Sequence, residues 1–153
     1  MAQDRGDLAG AEQAYSQYLA ISERLAGLNP ANTGRQRDLA SAYSSVGGVA
    51  QARGDLAGAE QAFSKDLAIS ERLAGLDPAN TGWQRELAVA YSRVGDMAQD
   101  RGDLAGAEQA YSQYLAIFKR LAALDPANTD WQKGLADAQS RIADKDGADP
   151  PPV

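Results

Sequence analysis

The tripeptide Arg-Gly-Asp begins at Arg5, at Arg53 and at Arg101, each time inside the string RGDLAGAEQA. It resembles the adhesion motif read by integrins, which needs a guanidinium and a carboxylate held apart at an exposed loop tip. Few other side chains could do chemistry. The chain has no His and no Cys, which removes the commonest general base, the commonest metal ligand and any disulfide framework. Glu12, Glu60 and Glu108 recur with the tripeptide. A catalytic carboxylate pair needs two environments that split its pKa values, and a repeated surface offers identical ones, so these are read as a solvated helix face. Asp96 and Asp100 stand one helical turn apart with no evident third oxygen ligand. VGGV at Val46 lacks the Lys-Ser or Lys-Thr of a phosphate loop. The expectation is no catalytic residue, no metal and no cofactor.

The tripeptides are 48 positions apart, and so is everything around them. Three units align without gaps at 2–49, 50–97 and 98–145. Each holds one Gly-Asp turn and one PANT turn, with stretches of about 20 residues between them. After Asp103, the residues Leu104, Ala107, Tyr111, Leu115, Phe118 and Leu121 recur at helical spacing, beside a second stripe of Ala110, Tyr114, Ile117, Leu121 and Leu124. Two stripes predict a helix packed against more than one neighbour. Trp83, Leu87, Tyr91, Val94 and Ala98 form the stripe of the other helix type.

The punctuation explains the tripeptide. Gly6, Gly54 and Gly102 stand where a helix ends and a left-handed backbone is needed. Asp7, Asp55 and Asp103 follow at the N-cap of the next helix, and each Arg lies in the last turn of the helix before, where positive charge suits the dipole. Thr33 with Gln36, Thr81 with Gln84, and Thr129 with Gln132 fit capping boxes. Pro30, Pro78 and Pro126 stop the preceding helices. Arg-Gly-Asp is thus read as helix punctuation, and the fold as all-α: antiparallel helix pairs stacking into a right-handed solenoid.

Tyr91, Val94, Gly95, Ala98, Gly102, Asp103, Ala107, Tyr111 and Pro126 resemble the tetratricopeptide repeat (TPR) pattern of Leu, Gly, Ala, aromatic and Pro positions across two helices. Tyr43, Val46, Gly47, Ala50, Gly54, Asp55, Ala59, Phe63 and Pro78 repeat it. The resemblance runs to about Lys145. The longer period, about seven extra residues per helix, is similar to the long-helix repeats of kinesin light chains and bacterial arrays. Ala98 replaces the usual Tyr, and Tyr18, Asp66 and Tyr114 stand where a small residue is usual.

In such arrays the first helix of each pair lines an inner face that binds peptides or partner domains. The resemblance therefore implies a noncatalytic TPR-like scaffold. The candidate partner-binding residues off the buried stripe are Arg37, Ser41 and Ser44 (with Gly48), then Arg85, Val89, Ser92 and Asp96, then Lys133, Asp137 and Ser140. Arg37, Arg85 and Lys133 make a basic row. The Lys/Asn carboxylate clamp of chaperone-binding members is not matched. Tyr15, Phe63 and Tyr111 are read as core.

Net charge is −6 over 153 residues, against the basic patch expected of a nucleic-acid binder. No run has the length and apolarity of a membrane span and no apolar signal core follows Met1, so the expectation is a soluble cytoplasmic protein with a protein or peptide partner. Residues 146–153, with Pro150 to Pro152, are read as a flexible proline-rich tail. The array opens on a second-type helix, about Leu8 to Leu28, and ends on a first-type helix, about Trp131 to Ala143. It reads as an excised or designed piece of a longer array. Weak head-to-tail self-association through Leu8, Tyr15 and Leu19 is the alternative use of its ends.

Overall fold

A computed structural model describes the backbone of residues 2–147 and the side chains of residues 6–143. Among the described residues all regular structure is α-helical: α1 (Ala2–Leu28), α2 (Thr33–Ala52), α3 (Leu56–Leu76), α4 (Thr81–Asp100), α5 (Leu104–Leu124) and α6 (Thr129–Gly147). None of these helices is long and apolar enough to cross a membrane. The chain divides into two compact units, residues 1–77 with α1 to α3 and residues 78–153 with α4 to α6. The division falls inside the second sequence unit. A repeat chain packs neighbour on neighbour, so its packed groups need not begin where a sequence period is counted from. The segment 148–153, with the prolines of the expected tail, lies outside the described residues. Asp146 and Gly147 still belong to α6, which runs beyond the expected end at Ala143.

Two of the three Gly-Asp turns form as expected. Gly54 and Gly102 both take φ of 82°. The amide of Asp55 donates to the carbonyl of Ala50 at 2.8 Å and that of Gly54 to Gln51 at 3.0 Å. This pair of bonds closes a helix through a left-handed glycine. Asp103 and Gly102 repeat it on Ala98 and Gln99. Asp55 and Asp103 then cap the following helix, accepting from the amides of Gly58 at 3.0 Å and Gly106 at 2.9 Å. Arg53 and Arg101 stand one residue beyond the expected last turn, at the C-cap.

The first copy does otherwise. Gly6 and Asp7 lie inside α1, which is continuous from Ala2. The left-handed glycine that closes α2 and α4 is seen at Gly54 and Gly102, while Gly6 continues the helix.

The PANT loops also correct the expectation. The N-caps are Asn32, Asn80 and Asn128, whose side-chain oxygens accept from the amides of Arg35, Trp83 and Trp131 at 3.0 to 3.1 Å. Thr33, Thr81 and Thr129 are the first residues of their helices. The glutamines reach back past the cap: Gln36, Gln84 and Gln132 donate from Nε2 to the carbonyls of Pro30, Pro78 and Pro126 at 3.2 to 3.3 Å. Each loop is thus held by an asparagine cap and a glutamine brace.

In the first unit Phe63, Leu73, Ala74 and Ala59 of α3 are buried together with Ala40, Ala42 and Val49 of α2. Here α1 packs on α2, and much of its apolar surface remains open. Tyr15, expected in the core, is 39% exposed and Ile21 57%. Leu8 and Leu19 are half-buried. In the second unit α5 is covered by both neighbours. Tyr114, Ile117, Phe118 and Leu121 form a core with Ala88 of α4 and Ala138 of α6, flanked by Leu87, Tyr91, Trp131 and Leu135. The rings of Tyr114 and Phe118 meet edge to face, 5.3 Å between centroids.

Candidate functional site

The first-type helices are α2, α4 and α6, and they carry all the candidate binding residues. On α2, Arg37 and Ser41 are exposed, as is Gly48, and Ser44 is half-buried. On α4, Arg85 is exposed and Val89 half-buried. Ser92 is buried and donates its hydroxyl to the carbonyl of Val89 at 2.7 Å. On α6, Lys133, Asp137 and Ser140 are exposed. The basic positions Arg37, Arg85 and Lys133 are therefore all on the surface of their helices, while Ser92 is turned inward.

Asp96 belongs to something the sequence reading missed. In the second unit its carboxylate accepts from the hydroxyl of Tyr111 at 2.6 Å and pairs with the guanidinium of Arg141. Arg141 also donates from Nε to Asp137 at 2.9 Å, and Asp137 accepts from the hydroxyl of Tyr114 at 2.8 Å. Tyr111 donates as well to Gln99, at 2.9 Å. The Arg141 guanidinium carbon lies 5.6 Å from the Tyr111 ring centre and 5.9 Å from that of Tyr114, within the range of cation–π attraction. One arginine of α6 thus sits among two carboxylates and two tyrosine rings drawn from all three helices.

The local structure fixes this cluster. Tyr111 and Tyr114 are one turn apart on α5, and both rings are buried. Tyr111 fits because Gly95 has no side chain: a Cβ there would come within 2.6 Å of the ring. Burial, then the hydrogen bond and negative charge of Asp96, push the Tyr111 phenol up to about 12. Burial and Asp137 raise that of Tyr114 as well. Both phenols therefore donate at neutral pH. Arg141 is held above its ordinary range: the charges of Asp96 and Asp137 outweigh its own desolvation. With its carboxylate taken by Tyr111 and Arg141, Asp96 is not arranged with Asp100 as a metal ligand, and no group of three or more acidic residues among the described residues could hold a metal ion.

In the first unit, a groove of about 250 Å³ runs between α1 and α3 over α2. Its floor is Leu19, Val46, Ala50 and Ala62, and its walls carry the Glu12–Arg53 ion pair and Lys65. Lys65 lies over the Tyr43 ring at 5.3 Å, and Tyr43 donates to Glu23 at 2.9 Å. Of the two charged residues in the second Arg-Gly-Asp, Arg53 is thus paired with Glu12 and Asp55 is a helix cap. In the third copy Arg101 pairs with Asp103 itself at 3.0 Å. In both copies the guanidinium and the carboxylate are engaged within the chain.

Residues 39–80 match the family model of the tetratricopeptide repeat. The match spans most of α2 and all of α3, and includes the packed pair Gly47 and Phe63. This helix pair is similar to a repeat of that type. No curated protein matches the chain.

Proposed function

We propose that the chain is a noncatalytic, cytoplasmic scaffold that binds a protein or peptide along the exposed surface of its first-type helices. The observation that carries this reading is the recurrence of Arg37, Arg85 and Lys133. They stand 48 residues apart, at the same place on α2, α4 and α6, and all three are exposed. Repeats of this family generally serve as interaction scaffolds. Long cations on an open helix surface favour an acidic segment, with attraction that weakens as salt rises. A peptide library pulled down with the chain supplies the ligand, and replacing all three residues by Glu tests the site. Binding of an acidic peptide should fall while the helical circular-dichroism signal stays. Unchanged affinity would place the binding surface elsewhere.

A second reading has its own support. Tyr18, Ile21 and Leu25 of α1 correspond to Tyr114, Ile117 and Leu121 of α5. On α5 these are 6%, 3% and 2% exposed, whereas on α1 they are 38%, 57% and 37%. The bare face of α1 has the composition that takes a first-type helix elsewhere in the chain, and a second copy could supply one through α6. Such a contact is heterologous and would extend as a chain. The mass in solution should then rise with concentration, and Ile21→Glu should abolish the rise. A constant monomer mass to about millimolar concentration, where only contacts weaker than roughly 4 kcal/mol escape detection, would remove this reading.

A further inference from the structure

We propose that Asp96, Tyr111, Tyr114 and Asp137 form a guanidinium-binding site that the chain closes with its own Arg141, and that an arginine from a partner segment takes Arg141's place. The inference rests on the binding reading of the first-type helices given above and names the side chain that this part of their surface accepts.

The site is seen with its ligand chemistry in place. Nε of Arg141 reaches Asp137 while Nη1 reaches Asp96, so the planar fork spans two carboxylates on different helices. A lysine ammonium lacks that fork. Two buried tyrosine rings flank the guanidinium. Their hydroxyls hold the carboxylates in position, so the cage does not depend on Arg141 for its geometry. Two carboxylates face one cation, leaving one negative charge in excess, which favours an incoming guanidinium.

The cage is also open enough for exchange. The side chain of Arg141 is 30% exposed, that of Asp96 35% and that of Asp137 49%. A fully buried ion pair would be a strut, since parting it leaves uncompensated charge in the interior. Here Arg141 can swing into water on its long stem while α6 stays folded. The incoming arginine replaces the contacts that leave, so the exchange depends on what the rest of the partner binds. The exposed cations Arg85 and Lys133, on the two helices that supply the carboxylates, suit a segment with acidic residues as well as its arginine. The preceding repeat lacks the cage: the positions equivalent to Asp96, Tyr111 and Tyr114 are Gly48, Phe63 and Asp66.

The test compares the wild-type chain with Arg141→Ala, using a labelled peptide of one arginine between acidic residues, and its citrulline and lysine counterparts. Emptying the cage should tighten binding of the arginine peptide by roughly tenfold or more, with tyrosine ring NMR signals shifting on binding. Citrulline, neutral but of the same shape, should gain nothing, lysine should gain less, and adding Asp96→Asn to Arg141→Ala should cancel the gain. Equal affinity of the folded variant and the wild type overturns the proposal, as does an equal gain for citrulline. Should Arg141→Ala unfold, Arg141→Gln replaces it. Unfolding of both makes Arg141 a structural strut and ends the idea. The scaffold reading fails separately: it survives if acidic peptides without arginine still bind through Arg37, Arg85 and Lys133.

Discussion

Gly47 of α2 lies against the ring of Phe63 on α3, so closely that a Cβ on the glycine would stand 2.6 Å from the ring. Phe63 is 3% exposed and cannot swing away. Gly48, the next residue, faces open space. The two neighbours should therefore respond to alanine with opposite sign. Gly47→Ala overpacks the helix interface and should lower stability by about 1–3 kcal/mol. Gly48→Ala removes only the conformational freedom of an exposed helical glycine and should raise stability by about 0.5–1 kcal/mol. Urea unfolding of the two variants decides it. Phe63→Leu should restore part of the Gly47→Ala loss, and equal stabilisation by both alanines would refute the close contact.

The Arg-Gly-Asp copies should separate by context. Asp55→Ala removes an N-cap and should cost about 0.5–2 kcal/mol, with Asp55→Ser largely neutral. Asp7→Ala, inside α1 and exposed, should change stability by less than about 0.5 kcal/mol. The amide of Gly106, and then Arg101, hold the Asp103 carboxyl below its ordinary range. Its contribution is therefore present above the unfolded value of about 3.9 and is lost as pH falls through the lower folded value. Asp103→Asn should flatten that part of the acid limb in pH-dependent unfolding. Cells should not adhere to the chain at all. Adhesion that Asp→Glu changes at all three copies abolish would contradict the capping role.

Where a residue type has a local, obligatory task, the sequence was readable. Gly54 and Gly102 need their left-handed backbone within a few residues of themselves, and the stripe through Tyr111, Phe118 and Leu121 follows helical periodicity alone. Context and distance hid the rest. Gly6 and Asp7 carry the same letters as the other copies but lie inside one continuous helix. Asparagine and threonine both cap helices; the spacing from Thr81 to Gln84 points to threonine, while the structure uses the asparagine before it. Asp96 and Asp137 were recognisable as surface positions. Their occupant, Arg141, is 45 residues from Asp96, and no periodic pattern connects them. Tyr111 was rightly assigned to the core by its ring, while its hydroxyl, which reaches the cluster, leaves no trace in an apolar stripe.

The same hydroxyl gives an alkaline signature. Burial and Asp96 raise the Tyr111 phenol to about 12 in the folded chain, against about 10 when unfolded. A raised folded value means the contribution is complete below the unfolded value and is lost as pH rises through the folded one. Wild-type stability should thus decline between about pH 10 and pH 12. Tyr111→Phe removes the titrating group, so its urea midpoint should fall less over that interval, although it starts lower at neutral pH. A decline as steep in Tyr111→Phe as in the wild type would mean that the phenol is not held in this way.

The asparagine caps make the last comparison. Asn80 accepts the Trp83 amide at 3.0 Å, while Thr81 is already helical. Asn80→Ala should cost about 0.5–2 kcal/mol. Thr81→Ala places the best helix former at a helical position and should cost less than about 0.5 kcal/mol. Gln84 ties the helix back to the carbonyl of Pro78. Gln84→Ala should fall between the two, because that bond is exposed and water can replace it. The same order should hold for Asn32, Thr33 and Gln36, with a larger loss at Gln36, which is buried and also accepts from Arg72 at 2.9 Å. Chemical denaturation of the single variants measures all of these. A Thr81→Ala loss exceeding that of Asn80→Ala would return the cap to threonine and undo the glutamine brace, since Gln84 would then be free to close a capping box on Thr81.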